Sequence, residues 1–388
     1  MKKTKTSKKK SISVQKNKKT ANASKLQLQI LFVLLILTFS LSIANIAKAQ
    51  GYFIPFISDG ISIDDNAIQL DSLTLEQKIG QMIIVHGSTY NIDEWQKMNI
   101  GGFHLFAMES AEIYKATIDS FQENSQIPFF VTTDLEGCQN SFANFQEFTP
   151  NDQITTVEQA TQKGTTEAKF LNELGFSINF APVVDLEDSI WGCRSFPGDQ
   201  EQITILADAY ISALQTADVS ATIKHYPGKT LVVSDPHQNL VTATIEAEDI
   251  FPYQELMSIT EQRTKQEVID LVMVSHLITI GTVDSNGLPS TVSPSVILQL
   301  KENYQGLIIS DDTIMRGLLD FYGDDTDQLY LDLVLAGHDL IINFNEDPNE
   351  IYRMIEVITE GVEQNIIQEA QIDTTVTKIL ELKGFIVE

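Results

Sequence analysis

The chain has 388 residues, a length that can bury a large core either as one barrel or as two smaller domains. Its 53 acidic residues outnumber its 26 basic residues, and the formal net charge is −27. A surface of this sign repels polyanions, which excludes nucleic acid as an expected partner and disfavours binding of the acidic part to anionic lipid.

The first 49 residues differ sharply from the rest of the chain. Residues 1–25 contain ten lysines and no acidic residue, and the uncharged run "LQLQILFVLLILTFSLSIANIA" follows them. A basic flank before an apolar run is typical of a membrane-targeting segment. This run is long enough to span a bilayer at a rise of ~1.5 Å per residue. Residues 1–25 are therefore predicted to be a cytoplasmic tail.

Residues 26–49 admit two interpretations. They are either a transmembrane anchor or a signal peptide, because they end beside "AKAQ", which fits a small-x-small cleavage site. In both cases the N-terminal segment contacts the membrane, and the remainder is expected to be exported and extracellular. Residues 50–70 are predicted to be a linker, and residues 71–388 a single barrel domain.

The predicted domain alternates short apolar runs with polar clusters and helical patterns. In chain order the runs are "QMIIVHG" (81–87), "GGFHLFA" (101–107), "PFFVTTD" (128–134), "SINFAPVVD" (177–185), "SATIKHY" (220–226), "DLVMVSH" (270–276), "GLIISDD" (306–312) and "DLIINF" (339–344). Continuously apolar strands are typical of a parallel sheet that is covered on both faces. Eight of them predict a (β/α)8 TIM-type barrel, with a doubly wound open sheet as the alternative fold.

Most of these runs finish in a polar or ionisable residue. The residues at or near the run ends are His86, Asp134, Asp185, His225, His276 and Asp311. Chemistry in such a barrel occurs at the carboxyl ends of the strands, so the set indicates a shared polar pocket. Taken singly, Asp134 or Asp311 could instead cap the following helix.

Two of the run ends carry adjacent ionisable residues. In "IISDDTIM", neighbours on an extended strand point to opposite sides, so one aspartate is expected to face the pocket and the other to be structural. In "ATIKHYPGKT", Lys224 is costly to bury unless it meets a charged partner or a polar ligand.

The segment "SDPHQNL" places Asp235 and His237 one proline apart. A neighbouring carboxylate stabilises an imidazolium and fixes the tautomer of the ring, which suits a histidine that transfers protons. The alternative is an exposed turn without chemistry. The strand-end histidines lack the closely spaced His-x-His pair of metal-dependent barrel hydrolases, so neither a metal nor a cofactor is expected.

The chain has two cysteines, Cys138 and Cys193. An even number of cysteines in an exported protein makes a disulfide a reasonable expectation. Two unpaired buried thiols are the alternative.

The order of these motifs resembles glycoside hydrolase family 3, in particular its single-domain β-N-acetylglucosaminidase branch. The resemblance extends from about residue 73 to residue 344. It includes "LTLEQKIGQMIIVHG", "PFFVTTDLEG", "LGFSINFAPVVDL", "CRSFPGDQE", "SATIKHYPG", "SDPH", "GLIISDDTIM" and "LAGHDLII". It implies a retaining hydrolase that releases terminal β-linked N-acetylglucosamine from cell-wall or chitin-type oligosaccharides, as in peptidoglycan turnover.

The resemblance also implies roles for individual residues. Asp311 matches the catalytic nucleophile, and His237 with Asp235 matches an acid/base dyad. The positions that match substrate-binding residues are Asp134, Arg194, Lys224, His225 and Met315. A carbohydrate is the implied partner, and a monomer is assumed.

The loop "DLEGCQNSF" departs from the family pattern. Gln139 and Phe142 stand where the family usually has arginines, and Cys138 replaces a glycine. We hypothesise that a Cys138–Cys193 disulfide compensates for the altered loop. The departures leave three alternatives open: a related β-glycosidase, a phosphorolytic variant, and a catalytically silent sugar-binding barrel.

Overall fold

The computed structural model describes residues 60–229, 239–258, 269–323 and 325–388. The predicted tail, the apolar segment 26–49 and most of the predicted linker lie outside the described residues, as do Asp235 and His237. In the part of the chain that is described, no helix is long and apolar enough to cross a membrane.

All eight predicted apolar runs contain a strand of one parallel sheet. The strands are β1 Ile83–His86, β2 Gly102–His104, β3 Phe130–Thr133, β4 Ile178–Asn179, β5 Ser220–Tyr226, β6 Leu271–Val274, β7 Leu307–Ser310 and β8 Ile341–Asn343. Their order is β7-β6-β5-β4-β3-β2-β1-β8, and every neighbouring pair is parallel. A parallel bridge between Ile309 and Leu340 joins the two edges. The predicted (β/α)8 barrel is therefore confirmed.

Helices cover the outside of the barrel and alternate with its strands. They are α1 Leu75–Gln81, α2 Ile92–Lys97, α3 Ala111–Gln122, α4 Val157–Leu174, α5 Gln200–Thr216, α6 Ala247–Met257, α7 Pro294–Lys301, α8 Arg316–Tyr322, α9 Thr326–Ala336, α10 Pro348–Glu363 and α11 Glu369–Leu382. The sequence fixes several of their ends. Thr74 and Thr156 form capping boxes at the starts of α1 and α4, and α4 ends at Gly175, whose φ is 97°.

Short strands add three smaller sheets. Leu135–Glu136 and Gln139–Asn140 form an antiparallel hairpin directly after β3. Thr242–Ile245 pairs in parallel with Ile278–Gly281. The third sheet contains Ile63–Asp64, Ala67–Ile68 and Ile386–Val387, with the last two parallel. This third sheet brings the first and last described elements together.

The strands are buried on both faces, as their continuous apolar sequences require. Every residue of β3, β6 and β7 is buried. Lys383 lies at the amino end of the barrel, where its ammonium donates to the Gln81 side chain (2.9 Å) and to the Gly101 carbonyl (2.8 Å). The same ammonium lies 4.7 Å from the Phe130 ring centroid, and burial lowers the pKa of Lys383. These contacts fill the amino end of the barrel, and the polar residues that follow the strands lie at the opposite, carboxyl end.

Candidate active site

A cavity of about 190 Å³ opens at the carboxyl ends of the barrel strands. Its charged and polar lining residues, among those described, are Asp134, Glu136, Arg194, Lys224, His225, Asp311 and Asp312. Its apolar lining residues are Phe106, Phe180, Met273, Met315, Ile342 and Phe344. Asp311 and all five predicted substrate-binding positions therefore lie around one cavity.

Lys224, near the end of β5, joins two carboxylates. Its Nζ lies 2.7 Å from Asp134 Oδ1 and 2.9 Å from Glu136 Oε2. Arg194 Nη2 lies 2.8 Å from the same Glu136 oxygen. Burial opposes the charge on Lys224, but Asp134 and Glu136 outweigh it and raise the lysine pKa. The buried lysine therefore has two carboxylate partners, as its burial requires.

Asp134 follows β3 and also approaches a buried histidine. Its Oδ2 lies 3.5 Å from His104 Nε2, and the other ring nitrogen of His104 lies 2.9 Å from Thr132 Oγ1. Burial lowers the pKa of His104 to about 4, so the ring is neutral near pH 7. Burial opposes ionisation of Asp134, but Lys224 outweighs it and holds the Asp134 pKa below its ordinary value. The Asp134 side chain remains 31% exposed, so an ionised acceptor faces the cavity.

The two adjacent aspartates after β7 differ in their contacts. The carboxylate of Asp312 accepts the backbone N–H groups of Ile314 and Phe344, each at 3.2 Å. It thereby ties the turn after β7 to the residue that follows β8. The carboxylate of Asp311 accepts the N–H of Asp312 at 2.8 Å and lines the cavity beside Met315. Both aspartates therefore line the cavity, contrary to the expectation that only one faces it, and Asp312 additionally ties two backbone segments together.

Asp185 does not line the cavity, contrary to the expectation that all six strand-end residues share it. It is 1% exposed and lies behind His225, whose Nδ1 is 3.4 Å from Asp185 Oδ2. The Tyr253 hydroxyl lies 3.1 Å from its other oxygen. Burial raises the pKa of Asp185 to about 7. Asp185 therefore supports a cavity residue from behind.

The prediction that His86 and His276 belong to the shared pocket is also wrong, because neither residue lines the described cavity. His86 Nδ1 lies 3.1 Å from Glu346 Oε1, beyond the cavity lining. His276 lies within 2.6 Å of the Thr291 hydroxyl and 2.9 Å of the Asp312 carbonyl oxygen. Both histidines thus hold neighbouring loops in the structure.

Sequence reasoning did not select Glu136 as a site residue. The sequence does contain a signal for Glu136, because it lies two residues after Asp134 and residues two apart on an extended strand point to the same side. Asp134 and Glu136 flank Leu135 at the start of the hairpin, and both bond Lys224. The aromatic walls were also missed: Phe106 and Phe344 have ring centroids 5.2 Å apart.

The structure joins Cys138 and Cys193 in a disulfide, with a Cα–Cα distance of 5.5 Å. The bond connects the loop after β3 to the loop after β4. Gly137 beside it has a φ of 65°, and a Cβ there would lie 2.2 Å from the Cys193 carbonyl oxygen. Only glycine fits such a position. The disulfide therefore lies next to the bonded pair Glu136 and Arg194.

Phe142, at one position where the family usually has arginine, lies in the hydrophobic core. It is 0% exposed, and its ring centroid lies 4.9 Å from those of Tyr114 and Phe170. Gln139 belongs to the hairpin and is absent from the described cavity lining. In the described ranges, no group of three or more His, Cys, Asp or Glu side chains is placed to hold a metal ion.

Known proteins share both the sequence pattern and the fold. A beta-N-acetylglucosaminidase/beta-glucosidase of Cellulomonas fimi is 23% identical over 353 residues, covering 83% of this chain and 60% of that protein. Beta-hexosaminidase A of Pseudoalteromonas piscicida is 27% identical over 329 residues, covering 74% and 54%. A family 3 beta-N-acetylglucosaminidase structure from Paenibacillus is 26% identical with a TM-score of 0.70, covering 80% and 62%.

The chain thus spans between 54% and 62% of the length of these three proteins. The family model described as "Glycosyl hydrolase family 3 N terminal domain" matches residues 74–382. That match includes the whole barrel and every cavity-lining residue named above. This chain therefore belongs to glycosyl hydrolase family 3.

Proposed function

We propose that the protein is a retaining glycoside hydrolase that releases terminal β-linked N-acetylglucosamine from cell-wall or chitin-type oligosaccharides. The observation that carries the proposal is the salt-bridge network of Asp134, Lys224, Glu136 and Arg194 in the same cavity as Asp311. The printed names of the relatives, a beta-N-acetylglucosaminidase and a beta-hexosaminidase, support the choice of sugar.

The network suits a sugar because hydroxyl groups both donate and accept hydrogen bonds. Asp134 is an ionised acceptor that is 31% exposed. Among the described residues, Asp134 and Glu136 accept two of the three ammonium protons of Lys224, so a third can point to a substrate hydroxyl. Hydrogen bonds to ionised groups are stronger than neutral ones. The apolar walls at Phe106 and Phe344 suit the C–H surface of a pyranose ring.

In the proposed reaction, the Asp311 carboxylate attacks the anomeric carbon while the bond to the leaving oxygen breaks. His237, oriented by Asp235, gives its proton to that oxygen. A covalent glycosyl-enzyme results. Water then attacks the anomeric carbon, His237 takes the proton from the water, and Asp311 is released as a carboxylate.

The chain on either side of residues 230–238 supports this role for His237. Asn239, two residues after His237, packs against α8, the helix that begins directly after Met315. A Cβ at Gly317 would lie 2.8 Å from the Asn239 carbonyl carbon. Lys229, which follows β5, and Asn239, which lies beside the helix after Asp311, are therefore both at the carboxyl end of the barrel.

The test is hydrolysis of 4-nitrophenyl N-acetyl-β-glucosaminide compared with the 4-nitrophenyl β-glucoside. We expect preference for the N-acetyl sugar, first release of the β anomer by NMR, and no turnover in Asp311→Asn. His237→Ala should slow a disaccharide more than the activated aryl substrate, because only the poor leaving group needs protonation. Equal losses would contradict His237 as the acid.

The same assay separates the alternatives. Preference for the glucoside would indicate a related β-glycosidase. Formation of a sugar 1-phosphate only when phosphate is added would indicate phosphorolysis. Sugar binding measured by calorimetry without any turnover would indicate a silent sugar-binding barrel.

We further propose that residues 26–49 direct export, and that residues 71–388 act outside the cytoplasm. The basic flank and the apolar run support this proposal. N-terminal sequencing of the protein from cells distinguishes a cleaved signal peptide from a retained anchor. Full protection of residues 71–388 from protease added to intact spheroplasts would contradict export.

A further inference from the structure

Trp191 presents a large aromatic surface to solvent at the mouth of the barrel. It lies between β4 and α5, and it is 43% exposed. The only other tryptophan of the chain, Trp95, is 0% exposed. A single exposed aromatic residue is ordinary and needs no explanation by itself. The loop that carries Trp191, however, is fixed by several hydrogen bonds and by the disulfide.

One carboxylate organises this loop. Asp188 accepts the backbone N–H groups of Trp191 (2.8 Å), Cys193 (3.0 Å) and Arg194 (2.8 Å). Burial opposes ionisation of Asp188, but these donors outweigh it and hold its pKa below the ordinary value. The disulfide to Cys138 fixes the same loop a second time. The backbone that carries the indole is thus held at several points, while the ring itself stays partly exposed.

The loop also connects the indole to the cavity. Arg194 Cζ lies 5.9 Å from the centroid of the Trp191 ring. The guanidinium of the same arginine bonds Glu136 at 2.8 Å and lines the cavity. Trp191 therefore packs beside a cavity-lining arginine, on the loop that follows β4 at the carboxyl end of the barrel.

We propose that Trp191 is the binding platform for the second sugar unit of the substrate, on the leaving-group side of the cleaved bond. The proposal rests on the proposed function and names its substrate class, a β-linked oligosaccharide of at least two units. The C–H face of a pyranose packs on an aromatic face, while its hydroxyls stay in water. A rigid indole binds such a ring with little loss of conformational entropy.

The kinetic test compares two substrates that differ only beyond the cleaved bond. For Trp191→Ala, kcat/KM for N,N′-diacetylchitobiose should fall about tenfold, equal to ~1.4 kcal/mol. The value for methyl N-acetyl-β-glucosaminide, which lacks a second sugar, should stay unchanged. Trp191→Phe should retain most of the disaccharide activity. Phe321→Ala, which removes another exposed ring (39% exposed), should change neither value.

Equal losses on both substrates would overturn the proposal, because they would assign Trp191 a structural role through Arg194. No loss on either substrate would overturn it as well.

Tryptophan fluorescence gives a readout that does not require turnover. In the Asp311→Asn variant, titration with diacetylchitobiose should shift the emission of the exposed Trp191 to shorter wavelength, whereas the methyl glycoside should not. The added change Trp191→Phe should abolish the shift and leave the signal of Trp95. If the wild type hydrolyses neither substrate, the proposed function fails, and this titration alone decides whether the platform binds sugar. An unchanged emission with the disaccharide refutes the platform.

Discussion

Removal of the disulfide offers the sharpest test of how the site is held. The double variant Cys138→Ser/Cys193→Ser opens a loop closed across 55 residues of sequence. A closed loop of that length restricts the unfolded chain, and the loop-entropy relation gives about 4 kcal/mol of the free energy of unfolding. Loss of the disulfide should also destabilise the folded state itself, because the bond lies next to the ion pair of Glu136 and Arg194.

The measurement is urea unfolding of the full chain in a Trp191→Phe background, followed by the emission of Trp95, which is fully buried. The midpoint should fall in the double variant, and it should fall equally when the wild type is unfolded with reductant. Reductant should not change the double variant, which is the matched control. We also expect KM to rise more than kcat falls, because the loosened groups belong to the proposed substrate-binding network.

Two results would refute this reasoning. A stability change below about 1 kcal/mol would show that the cross-link does not restrict the unfolded chain as loop entropy requires. Mass analysis without reductant that finds two free thiols would remove the disulfide itself, and with it the hypothesis that the bond compensates for the altered arginine loop.

Three further predictions concern single side chains. Glu136→Gln leaves Arg194 buried beside a neutral amide, so we expect about a tenfold rise in KM and a loss of roughly 3 kcal/mol in urea unfolding; unchanged values would contradict the network. Asp185 has its pKa raised from 3.8 to about 7, so the folded state binds more protons between these values and stability falls by roughly 1.4 kcal/mol per pH unit as pH rises. Unfolding of Asp185→Asn over this range should lack that slope, and an identical slope in both proteins would refute the assignment. Gly317→Ala should lower kcat/KM although alanine normally favours a helix by ~1 kcal/mol, because its Cβ would lie 2.8 Å from the Asn239 backbone; a fully active, stabilised variant would contradict this contact.

The barrel could be predicted because the same local pattern, a short apolar run, occurs eight times along the chain. Each strand is a continuous apolar run, and a parallel sheet with both faces covered leaves few other arrangements. The clustering of Asp134, His225 and Asp311 followed from the same logic, since parallel strand ends meet on one face. The site role of Lys224 was implied only by the family resemblance.

The direction of individual side chains was not predictable in the same way. Asp185 and His276 end apolar runs just as Asp134 does, yet they bond residues behind the cavity. A shift of one residue along an extended strand reverses the side to which a group points, and composition does not report that shift. Phe142 shows a second limit, because only the surrounding aromatic rings reveal that its position belongs to the core. The roles of Asp235 and His237 stay predictions.

The pairing of Ala67–Ile68 with Ile386–Val387 has a topological consequence. Leu70 N–H donates to the Glu388 carbonyl (3.0 Å), and the Gln69 amide donates to its side chain (2.7 Å). The segments that directly precede and follow the eight β/α units therefore touch on the face away from the cavity. A short linker across that contact is compatible with circular permutation, with new termini opened between α7 and β7. We therefore expect a permuted chain, which starts at a different β/α unit, to form the same barrel with the same neighbouring strands.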